Sequence, residues 1–206
     1  VKFMKKVLSI AVTSIFAFSS MVLASEKRGF LEKANNKVEI KVSNSWKNVK
    51  SGQKIFVGDS IRTGLRSTAE IKYDDETRTR IGSRSNIIVA DRKINIKKGY
   101  IWGKVDKRKT KGLKIITSNA IASIVGTEFF VEVEDKNTII TVLEGETSFE
   151  ANKKDATKKT SVKAGNFAKI DVNGNVIESG PMDTPKVLAK YDELVHFNTD
   201  GAVKEN

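Results

Sequence analysis

Between Lys37 and about Glu178 apolar and polar residues alternate with a period of two. Val38, Ile40 and Val42 are interleaved with Lys37, Glu39 and Lys41, which gives the segment one apolar and one charged face. The same alternation returns in Ala69–Tyr73, Ile94–Lys97, Phe130–Glu134 and Ile140–Leu143, and helical spacing is absent across this stretch. Glycines at 52, 58, 64, 82, 99, 103, 112, 126, 145, 165 and 174 interrupt it, as turns between short strands require. Asn173-Gly174 carries the signal of a type I′ hairpin, whose two central residues both take positive φ. So many half-buried strands cannot lie in one flat sheet without exposing a large apolar face. The predicted fold is therefore all-β, with many short strands in a two-layer or irregular solenoid-like domain. A β-sandwich or jelly roll is the alternative, and the pattern alone does not separate the two.

The pattern changes at both ends. Asp183-Thr184-Pro185 offers an N-cap followed by proline at the first helical position. Val187, Leu188, Tyr191, Leu194 and Val195 then form one apolar stripe, predicting an amphipathic helix from about 185 to 197, docked on the β-domain and followed by a tail to Asn206. At the other end Met4-Lys5-Lys6 is a positive n-region and Val7 to Phe18 an apolar run. Val22-Leu23-Ala24 then places small residues where signal peptidase needs them, before polar Ser25-Glu26-Lys27. The alternative is an uncleaved anchor, because Val7 to Ala24 carries no charge. Ser9, Thr13, Ser14, Ser19 and Ser20, with the small pair at 22 and 24, favour cleavage. The expected organisation is a signal peptide at 1–24, a β-domain at 25–180 and a helix with its tail at 181–206. The expected location is periplasmic or secreted, with no transmembrane segment after cleavage.

Composition narrows the chemistry. The 206 residues contain no Cys and a single His, which removes thiol catalysis, disulfides and Cys- or His-based metal clusters. No catalytic, cofactor-binding or metal-binding residue is therefore expected. His196 falls at the end of the predicted helix, where the dipole favours it, and no nucleophile elbow accompanies it. Asp74-Asp75-Glu76 suggests the paired acids of a wall-glycan hydrolase, but adjacency in sequence does not hold two carboxyls across a cleft, and a solvated turn is the better reading. Asp171 to Asn175 has its glycine at the fourth position rather than the sixth, which excludes an EF-hand loop.

The formal charge is +12, and loss of residues 1–24 would remove three lysines and no acid, leaving +9. Outside the cytoplasm this charge points to anionic envelope polymers rather than nucleic acid. Three basic groups stand out: Lys104, Lys107, Arg108, Lys109, Lys111 and Lys114; Lys153, Lys154, Lys158 and Lys159; and Arg78, Arg80 and Arg84. From the first two groups, Lys104, Lys107, Arg108, Lys109, Lys111, Lys153, Lys154, Lys158 and Lys159 are the candidate contacts to an anionic partner. Few aromatics lie among them, so a base-stacking groove is not indicated.

Several motifs, in order, resemble the periplasmic domain of the FecR family. They are Trp46 to Gly52, Val57-Gly58-Asp59-Ser60-Ile61-Arg62-Thr63-Gly64, Ser67 to Asp75 and Thr79-Arg80-Ile81-Gly82. Further on come Gly99-Tyr100-Ile101-Trp102, Ile116 to Ala122, Val125-Gly126-Thr127-Glu128-Phe129, Leu143-Glu144-Gly145-Glu146 and Ala164-Gly165. The resemblance covers about 36–170. It implies an all-β extracytoplasmic domain which, in the regulators that name the family, receives a signal from an outer-membrane transporter and passes it to a cytoplasmic anti-sigma segment. Within these motifs Asp59 is expected to cap its turn or pair with Arg62, and Trp46 and Trp102 to be core anchors. The expected function is non-catalytic binding of an envelope protein or anionic polymer, with periplasmic signal sensing or relay as the alternative.

Overall fold

A computed structural model describes residues 26–108, 112–153 and 159–197. The predicted signal peptide, the C-terminal tail beyond Phe197, and Lys109, Lys111, Lys154 and Lys158 lie outside the described residues. The chain is all-β, as expected, and its strands stack in two layers.

The first layer runs, in spatial order, through Lys54–Phe56 (β4), Lys27–Asn35 (β1), Thr68–Tyr73 (β6), Arg78–Ile81 (β7), the second half of Lys93–Lys104 (β9), Glu128–Glu134 (β12), Asn137–Glu144 (β13), Asn166–Ile170 (β16) and Val176–Pro181 (β17). The second runs through Ser45–Asn48 (β3), Val38–Val42 (β2), Ser60–Thr63 (β5), Asn86–Ala90 (β8), the first half of β9, Leu113–Ile116 (β10), Ala120–Ile124 (β11), Glu146–Ala151 (β14) and Lys159–Lys163 (β15). Among these pairings only β9–β10 is parallel. From β10 onward successive hairpins alternate between layers, so the chain winds forward while building both sheets at once.

The layers are joined covalently through β9, which pairs with β8 and β10 before Gly99 and with β7 and β12 from Gly99 on. Gly99 takes φ +86°, and a Cβ there would lie 2.2 Å from the Ser85 hydroxyl. That hydroxyl accepts from the Tyr100 amide at 3.0 Å and donates to the Tyr100 carbonyl at 3.2 Å, so the bend needs both the missing side chain and the serine.

One apolar core fills the space between layers. Ile71, Ile81, Ile101, Val131 and Ile140 enter from the first, and Ile61, Ile87, Val89, Ile94, Ile115 and Phe149 from the second. These are the inward members of the alternating runs, and their β-branched side chains suit a pleated surface. Strand β1 lies N-terminal to the alternation found in the sequence. A register shift between Leu31 and Lys33 breaks its period, although Leu31 is fully buried.

Three local expectations need correction. The hairpin at Asn173-Gly174 is present, but only Gly174 has positive φ (+83°). The Asp171 carboxylate accepts from the amides of Asn173 and Asn175, both at 2.8 Å, and holds a three-residue loop instead of a type I′ turn. The two-residue turn with both φ values positive is Asp135-Lys136, at +46° and +68°. The C-terminal helix begins as predicted, with Asp183 accepting from the Lys186 amide at 3.2 Å and proline in the first turn. It then breaks into Thr184–Lys190 (α1) and Asp192–Val195 (α2). Tyr191 sits between them at φ −108°, ψ 27°, its ring stacked on Phe130 at 4.3 Å and its hydroxyl bonded to Glu132 at 2.8 Å. Finally, Trp46 is not a core anchor. It lies half-buried on edge strand β3 beneath the Arg62 guanidinium, 4.3 Å from the ring centroid.

Candidate functional site

The two layers present different outer faces. On the first, the register aligns Glu70, Arg80, Trp102, Phe130, Thr141 and Phe167 across six strands. The C-terminal helices cover the middle of this row, where Trp102, Phe130, Tyr191 and Leu194 form a second apolar cluster. Polar groups lock the cover in place. Glu132 accepts from Lys190 at 2.6 Å and Tyr191 at 2.8 Å, Glu193 accepts from the Ser83 amide at 2.6 Å and from Tyr100, and Arg80 donates to the Leu194 carbonyl at 2.7 Å. Burial, with the facing carboxylates, pushes the Tyr100 and Tyr191 hydroxyls well above the ordinary tyrosine value, so both stay protonated as donors. Tyr191→Phe is expected to cost about 1.5 kcal/mol, the lower end of the net worth of a buried hydrogen bond to a charged acceptor, since Glu132 keeps its lysine. Thermal melts check this, and an unchanged Tm would count against it.

Of the predicted arginine group, Arg78 and Arg80 belong to this structural network, while Arg84 is exposed in a turn at φ +53°. Arg78 and Arg80 both bond Glu70, at 2.7 and 2.6 Å, and Arg80 stacks on Trp102 at 4.3 Å. Trp102 is an anchor as expected, with its indole N–H donating to Glu128 at 3.1 Å. Asp59 caps its turn by accepting from the Phe56 amide at 2.8 Å, while Arg62 pairs with Glu39 at 2.6 Å instead. Burial raises the Asp59 pKa against that hydrogen bond.

The acids of the 74–76 turn are each engaged: Asp74 by Lys27 at 3.0 Å, Asp75 by Arg92 at 3.4 Å and Glu76 by Lys72 at 3.2 Å. His196 is exposed, bonded to Asp192 at 2.7 Å. Among the described residues no group of three His, Asp or Glu side chains converges as a metal site. No helix among them is long and apolar enough to cross a membrane.

The candidate anion contacts separate into two places. Lys104 pairs with Glu128 at 2.7 Å and Glu144 at 3.7 Å, and the Glu128 hydrogen bond raises its pKa. Arg108 pairs with Asp106 at 3.5 Å. Lys107 stands exposed at a shallow hollow with Gly126, Gly145, Glu146 and Lys163. At the opposite end of the β14–β15 hairpin, Lys153 donates to the Asn173 carbonyl and Lys159 pairs with Glu150 at 3.5 Å. Among the described residues the two groups stand apart, and neighbouring acids pair with three of their cations. Three other exposed lysines without an ion pair among the described residues, Lys93, Lys97 and Lys114, share the outer face of the second layer. Lys93 and Lys97 bracket ordinary alternation, so the sequence analysis named neither as a candidate contact.

The family model for FecR protein matches residues 59–148, which spans β5 to the middle of β14. Over that span the chain is similar to FecR proteins. Two crystal structures of a candidate anti-sigma factor from Parabacteroides distasonis share the fold of this chain, with TM-scores of 0.53 and 0.52. Each is 15% identical to this chain, covering 64% and 63% of it and 63% and 62% of the other protein. The chain thus spans less than two thirds of those proteins' length. No curated protein is a significant match. The matched span contains the bend at Gly99 and both halves of β9, so the FecR model covers the element that joins the layers.

Proposed function

We propose that this FecR-like domain works outside the cytoplasm as a non-catalytic binding module, contacting a protein or an anionic polymer of the cell envelope and serving signal relay. The observation that carries the reading is the family match over 59–148 on a two-layer β scaffold shared with a candidate anti-sigma factor. The export-like segment at 1–24, the domain over 25–180 and a helical cover from 181 complete the proposed organisation. A hydrolase reading draws on the acids at 74–76, and their ion pairs to Lys27, Arg92 and Lys72 argue against it.

Deletion of the gene, compared with the complemented strain, tests the relay. A transcriptional response confined to a few operons and restored by complementation is the expected result, and an unchanged transcriptome under envelope stress sinks it. N-terminal sequencing of the protein from the envelope fraction is expected to begin at Ser25, and recovery in the cytoplasm would remove the extracytoplasmic half of the reading.

A further inference from the structure

We infer that the outer face of the second layer is a docking platform for a linear anionic polysaccharide. The inference rests on the extracytoplasmic reading above, because such polymers lie outside the cytoplasm.

The face is built by register. In the parallel β9–β10 pair Lys93 stands opposite Lys114. The row continues through Ser123 on β11, Ser148 on β14 and Ser161 on β15. Beside it runs a second row, Ile88 on β8, Asn95 on β9, Ile116 on β10 and Ile121 on β11. All these side chains alternate with buried core residues and therefore point away from the core.

Two like charges directly opposite each other in a sheet are destabilising. Neighbouring strands are about 4.8 Å apart, so the two lysine stems run side by side. Neither lysine has an ion pair among the described residues. Two acids share this face: Glu150 pairs with Lys159 at 3.5 Å, and Glu146 accepts from the Ser161 hydroxyl. A bound anion would relieve the repulsion, and Lys97 on the same face of β9 adds a third cation.

The rest of the face selects the partner. Serine hydroxyls and the Asn95 amide match sugar hydroxyls, and the isoleucine row offers aliphatic surface to sugar C–H faces. An acidic peptide has less to hold, because strand addition needs a free edge, and Lys93, Lys97 and Lys114 stand on β9 and β10, which are paired on both sides. A membrane is disfavoured as well: Phe30, Val42, Leu65, Val125, Val172, Val176 and Ile177, the exposed large apolar residues, all lie off β8–β11 and β14.

The test uses the purified full chain and an alginate hexamer, titrated at low and physiological salt. Poly-glutamate, a neutral hexasaccharide and anionic phosphatidylglycerol vesicles serve as competitors. Binding is expected to weaken about fivefold for Lys93→Gln or Lys114→Gln and further for the double variant, while Lys107→Gln and Lys153→Gln change little. The same Lys93→Gln change is expected to hold Tm or raise it by about 1 °C, because it removes a repulsion. No alginate binding, equal loss in the Lys107 and Lys153 variants, a lowered Tm in Lys93→Gln, or preference for poly-glutamate or vesicles would each overturn the inference. A negative result leaves the relay standing, and an unchanged transcriptome leaves the platform standing.

Discussion

Asn119→Ala is expected to be the most damaging single substitution in the domain, costing about 4 kcal/mol, because each buried group left without a partner costs about 1–3 kcal/mol. Asn119 is buried at 4% exposure. Its amide nitrogen donates to the carbonyls of Ile170 at 2.9 Å, Asp171 at 2.8 Å and Lys136 at 3.1 Å. Its oxygen accepts from the hydroxyls of Thr117 at 3.1 Å and Thr138 at 2.6 Å. One side chain thereby ties the start of β11 to the turns after β12 and β16, which belong to the other layer. Alanine removes every tie at once and leaves the buried Ile170 carbonyl without this donor. Against a total stability of about 5–15 kcal/mol this is a large share, so the denaturation midpoint should fall steeply with the m-value unchanged. Asn119→Asp is the discriminating companion: it keeps the acceptor, loses both N–H donors and sets a carboxylate against three carbonyls, so it should be no better than alanine. A loss below about 1 kcal/mol in either variant would show that water replaces these bonds.

Glu70→Ala ranks next, at about 3 kcal/mol, the lower end of what breaking a buried charge pair costs. The Glu70 side chain is 2% exposed, while Arg78 and Arg80 are 37% and 21% exposed, so the arginines keep some water when the acid is gone. The loss also reaches the cover, because Arg80 holds the Leu194 carbonyl and lies 5.1 Å from the Phe197 ring centroid. Burial pushes the Glu70 carboxyl up, but the hydrogen bond from Arg80 and the charges of Arg80 and Arg78 bring it below its ordinary 4.5. The sign of the linkage follows. With a folded pKa below the unfolded one, the stabilisation is present above about pH 4.5 and drains away as pH falls through the lower folded value. The gap between wild type and Glu70→Ala in urea melts should therefore be widest near neutrality and narrow below pH 4.5. A gap that stays constant down to pH 3 would remove the charge pair as its cause.

The basic residues show how far a chain can be read without its fold. Runs such as Lys107 to Lys111 draw the eye because they are contiguous, yet Lys104 and Arg108 are paired with acids from other segments or from the same turn. Lys93 and Lys114 lie far apart in sequence and meet only through a parallel pairing, the one contact type that needs a long crossover. Trp46 illustrates the opposite error. Its size suggested the core, but its strand is an edge, paired among the described residues with β2 alone.

Alternation and glycine spacing were enough for an all-β chain, Asp183-Thr184-Pro185 for the capped start of its C-terminal helix, and the ordered motifs for the FecR resemblance, because period-two burial, capping and short motifs are local properties written residue by residue. Tertiary structure alone decided that hairpins alternate between two layers through the bend at Gly99, that β1 joins the sheet despite its broken period, that Tyr191 interrupts the helix, and which lysines stand unpaired side by side. Each of those depends on residues distant in sequence meeting in space, where a neighbour's hydrogen bond, ring or charge outweighs the preference of the local segment.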